Sequence, residues 1–332
     1  MPRAAENNGG KVGVVLLQLG GPDSPEAVER FLFNLFADPD IIDLPLAFLF
    51  RRRLAAFIAR RRAPRVRGYY ARIGGRSPIL KLTRRQAAAL EGALRRDIDA
   101  RVVIAMRYWH PFTEEALDDL LASGVRRVVL VPLYPHFSKT TTGSSVREWE
   151  RVLRRRGAAD FRVTRVREYF EHPLYIAALV RNIGIALARV PEADRRAVHL
   201  IFSAHGTPVS LVKAGDPYKS QIERTVAAVV AAGEFGIPHR LCFQSKVGPQ
   251  RWLEPSLNAT LRALAAEGAS RVIVVPVAFV SDHSETLWEI NIEARAEAHT
   301  LGIPYFDMMP ALHTAPEYIA ALRDLVMENL PQ

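Results

Sequence analysis

Short apolar runs rich in valine and isoleucine alternate along the chain with longer stretches in which apolar residues recur every three or four positions. The runs are continuously apolar, which is typical of strands covered by helices on both faces. Six of them are predicted to be strands: Val12–Leu19, Val102–Met106, Val128–Tyr134, Val198–Ala204, Arg240–Gln244 and Val272–Val280. Helices are predicted between them, for example over Glu26–Phe36, Glu114–Ala122 and Leu257–Ala266. This alternation predicts an α/β fold with parallel, doubly wound sheets.

The second half of the chain repeats the plan of the first half. Residues 124–132 resemble residues 268–276, because each segment is a glycine followed by an apolar run that ends in proline. Pro132 and Pro276 fall inside predicted strands and cannot donate a hydrogen bond to a neighbouring strand. We therefore expect each strand to bend, or its pairing to end, at the proline.

The repeat predicts two similar Rossmann-like domains, residues 11–170 and 171–312, with parallel sheets that face a central cleft. A C-terminal helix over 313–330 is a candidate addition to the first domain. The first strand of each half also corresponds, so that Leu19 stands where His205 stands in the second half. Across a cleft, these two side chains would lie on opposite sides of one flat ligand.

Composition limits the kinds of partner. The net charge of +10 favours an anionic partner such as phosphate, a membrane headgroup or a substrate carboxylate. No nucleic-acid-binding motif is recognisable, so nucleic acid is not expected. The single cysteine, Cys242, excludes an internal disulfide and an iron–sulfur cluster held by several cysteines of one chain. Without a secretory signal or an apolar run of roughly 20 residues, we expect a cytoplasmic protein, either soluble or peripheral at the inner membrane surface.

Two apolar runs end in side chains that can carry protons or bind metal. One leads into Ser281-Asp282-His283, and Glu285 and Glu289 follow four positions apart, so that an α-helix would place both carboxylates on one face. The other ends in His205, next to a glycine. Asp282 and Glu285 also have the spacing of a helix capping box, which would need no chemistry.

Eight short segments, spread over most of the chain, follow one another in the same order as in one known protein family. They are Leu17–Asp23, Tyr69–Pro78, Met106–Pro111, Tyr134–Ser145, Phe202–Gly206, Gly215–Tyr218, Gln244–Pro249 and Ser281–Glu289. Together they resemble the ferrochelatase family, although each segment alone is a weak signal. With its single cysteine, the chain resembles the bacterial form of that family, which has no iron–sulfur cluster.

The resemblance implies insertion of Fe²⁺ into protoporphyrin IX, the terminal step of haem biosynthesis, with release of the two pyrrole N–H protons. It implies that His205 accepts protons, that Glu285 is its acidic partner and that Glu289 continues the row. His205 and Glu285 are also candidate ligands for the incoming Fe²⁺, a substrate and not a bound cofactor. The alternative is that they only remove protons while iron enters from the other face. His283 either joins this row or helps to cap the helix.

Further residues are candidates for holding the porphyrin. The resemblance implies contacts from Arg107 and Tyr108, and an arginine can bind a propionate through two hydrogen bonds. Secondary propionate candidates are Ser138, Thr140 and Lys246. Trp252 either packs against the ring or belongs to the core. Some relatives carry Met or Tyr where Leu19 stands, and because leucine cannot bind metal, no metal ligand is expected from that side.

Residues 44–78 combine apolar and basic groups, with Arg51–Arg53 and Arg60–Arg62 separated by an apolar stretch. This pattern suits a membrane interface, where apolar side chains insert and arginines meet anionic headgroups. The resemblance implies a lip over the porphyrin pocket. The alternative is a helix that packs on the core and exposes a basic face to water.

Two other functions fit the same residues. A non-catalytic tetrapyrrole carrier would keep Arg107 and the lip but would not need His205 with Glu285. A sister chelatase would insert another metal, or use another ring. The sequence leaves open whether the substrate is protoporphyrin or its tetracarboxylate relative coproporphyrin, by which route the metal enters, and the oligomeric state.

Overall fold

The described part of the chain forms two parallel four-stranded sheets. In the computed structural model, which describes residues 10–41, 50–246 and 250–332, the first sheet has the strand order β2-β1-β3-β4 and the second has the order β6-β5-β7-β8. The first sheet consists of β1 (Val12–Gln18), β2 (Ala100–Met106), β3 (Arg127–Pro132) and β4 (Arg162–Arg165). The second consists of β5 (Val198–His205), β6 (His239–Gln244), β7 (Arg271–Pro276) and β8 (Tyr305–Met308). Since the two orders are equivalent, the predicted duplicated α/β fold is confirmed.

Helices connect consecutive strands and cover the sheets. They are α1 (Ala27–Ala37), α2 (Arg51–Arg72), α3 (Ile79–Leu94), α4 (Thr113–Ala122), α5 (Ser144–Arg156), α6 (Pro173–Leu187), α7 (Val209–Lys213), α8 (Tyr218–Gly233), α9 (Leu257–Ala266), α10 (Arg295–Thr300) and α11 (Pro316–Glu328). Two segments are π-helical, Lys139–Gly143 before α5 and Glu285–Ala294 before α10, and 192–197 forms a 3₁₀ turn. None of the helices in the described ranges is long and apolar enough to cross a membrane.

The six predicted strands are all present, and both prolines end their strands. Pro132 and Pro276 are the last residues of β3 and β7, although the residues after them, Leu133 and Val277, still donate one hydrogen bond each to the central strands β1 and β5. The strands β4 and β8 were not predicted from the sequence. Both are four-residue edge strands with polar or partly exposed side chains, so neither shows the continuous apolar run of a central strand.

One hydrophobic core spans both sheets. It joins residues of β1 and β3 to residues of β5 and β7 through α3, α6, α8 and α11. The C-terminal helix α11 packs on α3, α6 and β3, and therefore against the first sheet. Because the core is continuous, the domain limits at residues 170 and 171 stay a prediction.

Helix α2 carries the predicted lip and packs on α1. Ala55, Ala59 and Ala63 are fully buried at four-residue intervals, and these small side chains allow the two helices to approach closely. The side chain of Phe57 on the same helix is 63% exposed, and that of the preceding Phe50 is 45% exposed. Of the predicted lip, residues 44–49 lie outside the described residues.

Candidate active site

His205 stands at the carboxyl end of β5, the central strand that lies between β6 and β7. Its side chain is 38% exposed, so one edge of the imidazole faces solvent. The next residue, Gly206, has no side chain, which matters because the chain passes very close to β6 at this point. Its N–H donates to the Gln244 carbonyl at 2.7 Å, and a Cβ at residue 206 would lie 2.7 Å from that same oxygen. The glycine therefore allows the turn that presents His205 at the strand end.

Glu285 is the direct partner of His205. The imidazole Nδ1 lies 2.7 Å from Glu285 Oε2 although the two residues are 80 positions apart in the sequence. Glu285 begins the π-helix Glu285–Ala294, where an α-helix had been expected. In a π-helix each N–H bonds five residues back, and positions four or five apart share a face. Glu285 and Glu289 thus still point to the same side.

The alternative of a capping box is wrong. Ser284 is the N-terminal cap residue of the π-helix, and its side chain accepts no capping hydrogen bond. Asp282 instead accepts a hydrogen bond from the Thr286 hydroxyl at 2.9 Å. Glu285 is therefore free to serve His205 and not the helix terminus.

Glu289 lies beside the pair and is held by the loop after β6. Gln244 donates from its side-chain amide to Glu289 Oε2 at 3.2 Å and to the Glu285 carbonyl at 3.1 Å. Ser245, in the left-handed region with φ of 66°, donates its hydroxyl to Glu289 and also lies 3.3 Å from Glu285 Oε2. Ser203 on β5 donates to the Gln244 amide oxygen at 2.7 Å and so fixes the orientation of that amide.

Burial and charge separate the pKa values of these groups. Burial acts to raise the pKa of Glu285, but the charge of His205 and its hydrogen bond outweigh burial and hold that pKa at about 2. Burial and the charge of Glu285 raise the pKa of Glu289 to about 7. Burial acts to lower the pKa of His205, but Glu285 outweighs it, so this pKa lies above the usual imidazole value. The site therefore holds one ionised carboxylate, Glu285, beside a second carboxyl group whose pKa of about 7 lets it gain and lose a proton near neutral pH.

His283 takes a position intermediate between the two predicted roles. Its Nε2 lies 4.0 Å from Glu285 Oε1, at the limit of an ion pair, and its Nδ1 lies 3.1 Å from the Ser281 carbonyl. Its backbone N–H donates to Thr286 at 3.1 Å. The neighbouring Asp282 bonds to His313 Nε2 at 3.0 Å, which ties this loop to the segment before α11.

Arg107 follows β2, but its guanidinium is engaged within the protein. Its Nη2 lies 2.9 Å from Asp38, whose side chain is 0% exposed, and its Nε donates to Ser144 at 2.7 Å. Tyr108 is fully buried, and its hydroxyl donates to Asp38 at 2.7 Å. The ring is therefore not exposed here, and the expectation that Tyr108 contacts the porphyrin stays a prediction. Its side chain supports the Arg107–Asp38 ion pair.

Ser138 is also engaged away from a ligand. It is buried, it caps the π-helix Lys139–Gly143, and its hydroxyl donates to Asp216 at 3.0 Å. Thr140 lies 3.0 Å from the Ser138 hydroxyl and is partly exposed. Asp216 precedes α8, so this contact joins the loop after β3 to the second sheet's helices. A direct propionate bond from the buried Ser138 stays a prediction.

The other predicted porphyrin residues differ in exposure. The Lys246 side chain is 42% exposed and pairs with Glu254 at 3.3 Å. Trp252 is partly buried beside the active histidine, because a Cβ at Gly206 would lie 3.5 Å from its ring. Leu19 is partly buried against α1 and α2. Its placement across a ligand from His205 stays a prediction.

Several residues that organise the site were not predicted from the sequence. Gln244 and Ser245 lie in a segment that carries the family resemblance, from which Lys246 alone was a predicted site residue. Asp38 was missed because nothing in the sequence marks it as the buried partner of Arg107. Within the described ranges, no group of three or more His, Cys, Asp or Glu residues is arranged to hold a metal ion. The assignment of His205 and Glu285 as iron ligands stays a prediction.

The duplicated α/β fold that carries this histidine–carboxylate pair is similar to the fold of solved chelatases. Among solved structures, SirB from Bacillus subtilis with Fe³⁺ covers 96% of this chain and 95% of its own at a TM-score of 0.55 and 14% identity. The sirohydrochlorin chelatase SirB with cobalt gives a TM-score of 0.51 at 12% identity over 96% of this chain and 94% of its own. These likenesses concern the fold alone.

Sequence comparison identifies the family. The Ferrochelatase family model matches residues 11–330. The ferrochelatase of Geotalea uraniireducens is 48% identical over 321 residues, covering 96% of this chain and 98% of its own. That of Aquifex aeolicus is 44% identical over 320 residues, covering 96% of this chain and 100% of its own. The chain therefore belongs to the ferrochelatase family, whose members are lyases that insert ferrous iron into protoporphyrin.

Proposed function

We propose that this chain inserts Fe²⁺ into protoporphyrin IX and that His205 accepts the pyrrole protons. The observation that carries this proposal is the contact of 2.7 Å between His205 Nδ1 and Glu285. Glu285 occupies Nδ1, so Nε2 is the atom that faces the substrate from the exposed side of the ring. The carboxylate stabilises the imidazolium that forms when Nε2 takes a proton.

Protons must then leave the site, because two are released for each iron inserted. Glu289 suits this step since its pKa of about 7 lets it gain and lose a proton under working conditions. Glu285 stays ionised beside it and keeps the pair polarised. The environment pushes the pKa values of Glu285 and Glu289 apart. Titratable groups with separated pKa values are expected at a proton-transfer site.

Fe²⁺ is a substrate here, and His205 with Glu285 supplies the nitrogen and oxygen ligands that suit a borderline ion. Only two ligands would bind iron weakly, so the ion could pass to the porphyrin. Among the predicted propionate partners, Lys246 has the most accessible charge, whereas Arg107 is committed to Asp38 and Ser144. We therefore assign the propionate contact to Lys246 and a supporting role to Arg107.

An anaerobic absorbance assay with Fe²⁺ and protoporphyrin tests the activity. Wild-type protein should convert the free-base spectrum to that of haem, and His205→Ala should not. Porphyrin binding without metal insertion in the wild type would indicate a carrier. Faster insertion of cobalt or nickel, or of iron into coproporphyrin, would indicate a sister chelatase or the tetracarboxylate substrate.

We also propose that α2 contacts an anionic membrane surface. The helix carries nine arginines and no acidic residue, and Arg67 makes its one ion pair among the described residues, with Glu29 at 3.8 Å. The exposed Phe50 and Phe57 place apolar rings beside this charge. Arginine with exposed aromatic rings suits headgroups and the acyl boundary.

Flotation with phosphatidylglycerol vesicles tests the membrane contact. Wild-type protein should float at low salt, and Phe57→Ser should float less. Ile185→Ser is the matched control because Ile185 is an exposed apolar residue on α6, 38% exposed and remote from α2. Equal flotation of all three proteins, or no flotation at low salt, would contradict the proposal.

A further inference from the structure

Trp288 lies on the π-helix between the two catalytic carboxylates, but its ring faces the other half of the protein. The indole is buried and stacks on Tyr69 of α2, with ring centroids 4.8 Å apart and planes inclined by 16°. The Arg72 guanidinium, one turn further along α2, lies 5.0 Å from the centroid of the same indole. Two residues of α2 therefore contact the Trp288 ring, through stacking and through a cation–π contact.

The segment before the π-helix is held from the same half. The Tyr70 hydroxyl, next to Tyr69, lies 3.5 Å from the Ser284 hydroxyl. Gln86 of α3 accepts a hydrogen bond from Ser281 at 3.2 Å. Helices that cover the first sheet thus contact the segment at residues 281, 284 and 288, and these contacts flank Glu285.

A π-helix needs such support because its wider turn is a rare conformation that persists mainly where the surroundings favour it. On one side, Glu285 and Glu289 bond to His205, Gln244 and Ser245. On the other side, Trp288 packs against α2. The helix is held between the second sheet and α2, so a shift of α2 would move the carboxylates relative to His205.

We propose that Trp288 is a positioning residue, which through Tyr69 and Arg72 fixes Glu285 and Glu289 at their working distance from His205. This inference rests on the proposed roles of the two carboxylates. It accounts for Tyr69 and Arg72 in the segment 69–78, whose family resemblance was noted without a function for these side chains. It also makes α2, the proposed membrane-contacting helix, part of the support of the catalytic pair.

The test removes the α2 side of the contact and leaves the π-helix sequence intact. In Tyr69→Leu/Arg72→Met, amide hydrogen exchange across 285–294 should accelerate. The kcat for Fe²⁺ insertion should fall about tenfold, since small displacements of catalytic groups are costly. The KM for protoporphyrin should change little, and the pH midpoint of kcat should move. Arg126→Met is the matched control, because Arg126 lies over the Phe161 ring at 5.3 Å in a cation–π contact away from the site.

A second pair of variants tests the indole itself. Trp288→Phe keeps an aromatic ring for stacking and should retain most of kcat, whereas Trp288→Leu should resemble the double variant. If Trp288→Leu does not fold, the α2 variants decide the question.

Unchanged exchange and unchanged kcat in the double variant would overturn the proposal, as would a rise in KM alone, because α2 would then act only on the porphyrin. Absence of activity in the wild type would instead refute the proposed function, and the exchange measurement would still report on Trp288.

Discussion

His205 Nδ1 and Glu285 Oε2 lie 2.7 Å apart, although one residue ends a strand and the other begins a helix that follows a different strand. β5 and β7 are parallel neighbours, so their carboxyl ends lie at the same edge of the sheet. The loop 277–284 then returns Glu285 to the end of β5. The contact between His205 and Glu285 therefore depends on the order of the strands in the second sheet.

The first prediction concerns the pH dependence of catalysis. Only neutral imidazole accepts a proton, and Glu285 raises the pKa of His205, so kcat/KM should rise with pH with a midpoint above the usual value of about 6.5. In Glu285→Gln only the weaker charge of Glu289 still opposes the effect of burial on the His205 pKa, so the midpoint should move to lower pH. The plateau should fall about 10- to 100-fold because the imidazolium loses its partner. Initial rates measured across the neutral range check both effects, and an unshifted midpoint would contradict the assigned pair.

The second prediction concerns stability and Glu289. Its folded-state pKa of about 7 lies above the unfolded value of about 4.3, so the folded state binds more protons between these values. The stability contributed by its protonation is therefore lost as pH rises through 7. Glu289→Gln cannot ionise and should be more stable than wild type above neutral pH, by on the order of 2 kcal/mol. Urea unfolding at acidic and alkaline pH checks this, and an equal difference at both would show that ionisation is not the cause.

The third prediction concerns Gly206. A Cβ there would lie 2.7 Å from the Gln244 carbonyl oxygen, a backbone atom that cannot swing aside. Gly206→Ala should cost about 1–3 kcal/mol and lower activity by displacing His205. Gly184→Ala on α6 is the control, because a Cβ there meets nothing within 4 Å and should add roughly 0.5–1 kcal/mol of stability. Equal stability of the two variants would show that the close approach at residue 206 does not matter.

The fourth prediction concerns Asp38. Asp38→Ala would leave Arg107 in a largely buried site without its carboxylate and Tyr108 without its acceptor, at a cost of about 3–5 kcal/mol. Asp160→Ala breaks an exposed pair with Arg126 and should cost less than about 1 kcal/mol. Thermal unfolding of both variants compares the costs. A small loss in Asp38→Ala would mean that Arg107 finds another partner, and would reopen its role as a propionate ligand.

Much of the fold could be predicted because central strands are apolar on both faces and their runs stand out. The strands β2 and β6 also lie at sheet edges but carry apolar residues that mark them, whereas β4 and β8 could not be predicted because they are only four residues long and include polar side chains. Glu285–Ala294 was expected to be α-helical, and the spacing of its apolar residues does not distinguish an α-turn from a π-turn. The difference arises from the contacts that the segment makes with its surroundings.

The sequence by itself determined the duplicated α/β plan, a bend or an end of β3 and β7 at proline, and the residue types that carry the chemistry. These properties are local, since they follow from runs of apolar residues, from the missing N–H of proline and from motifs read along the chain. The tertiary structure alone decided that Asp38 neutralises Arg107, that Tyr108 and Ser138 face the interior, and that Gln244 and Ser245 hold Glu289. Each of these depends on which distant residues meet after folding. Burial of charge and the pKa values that follow from it are therefore properties of the folded arrangement.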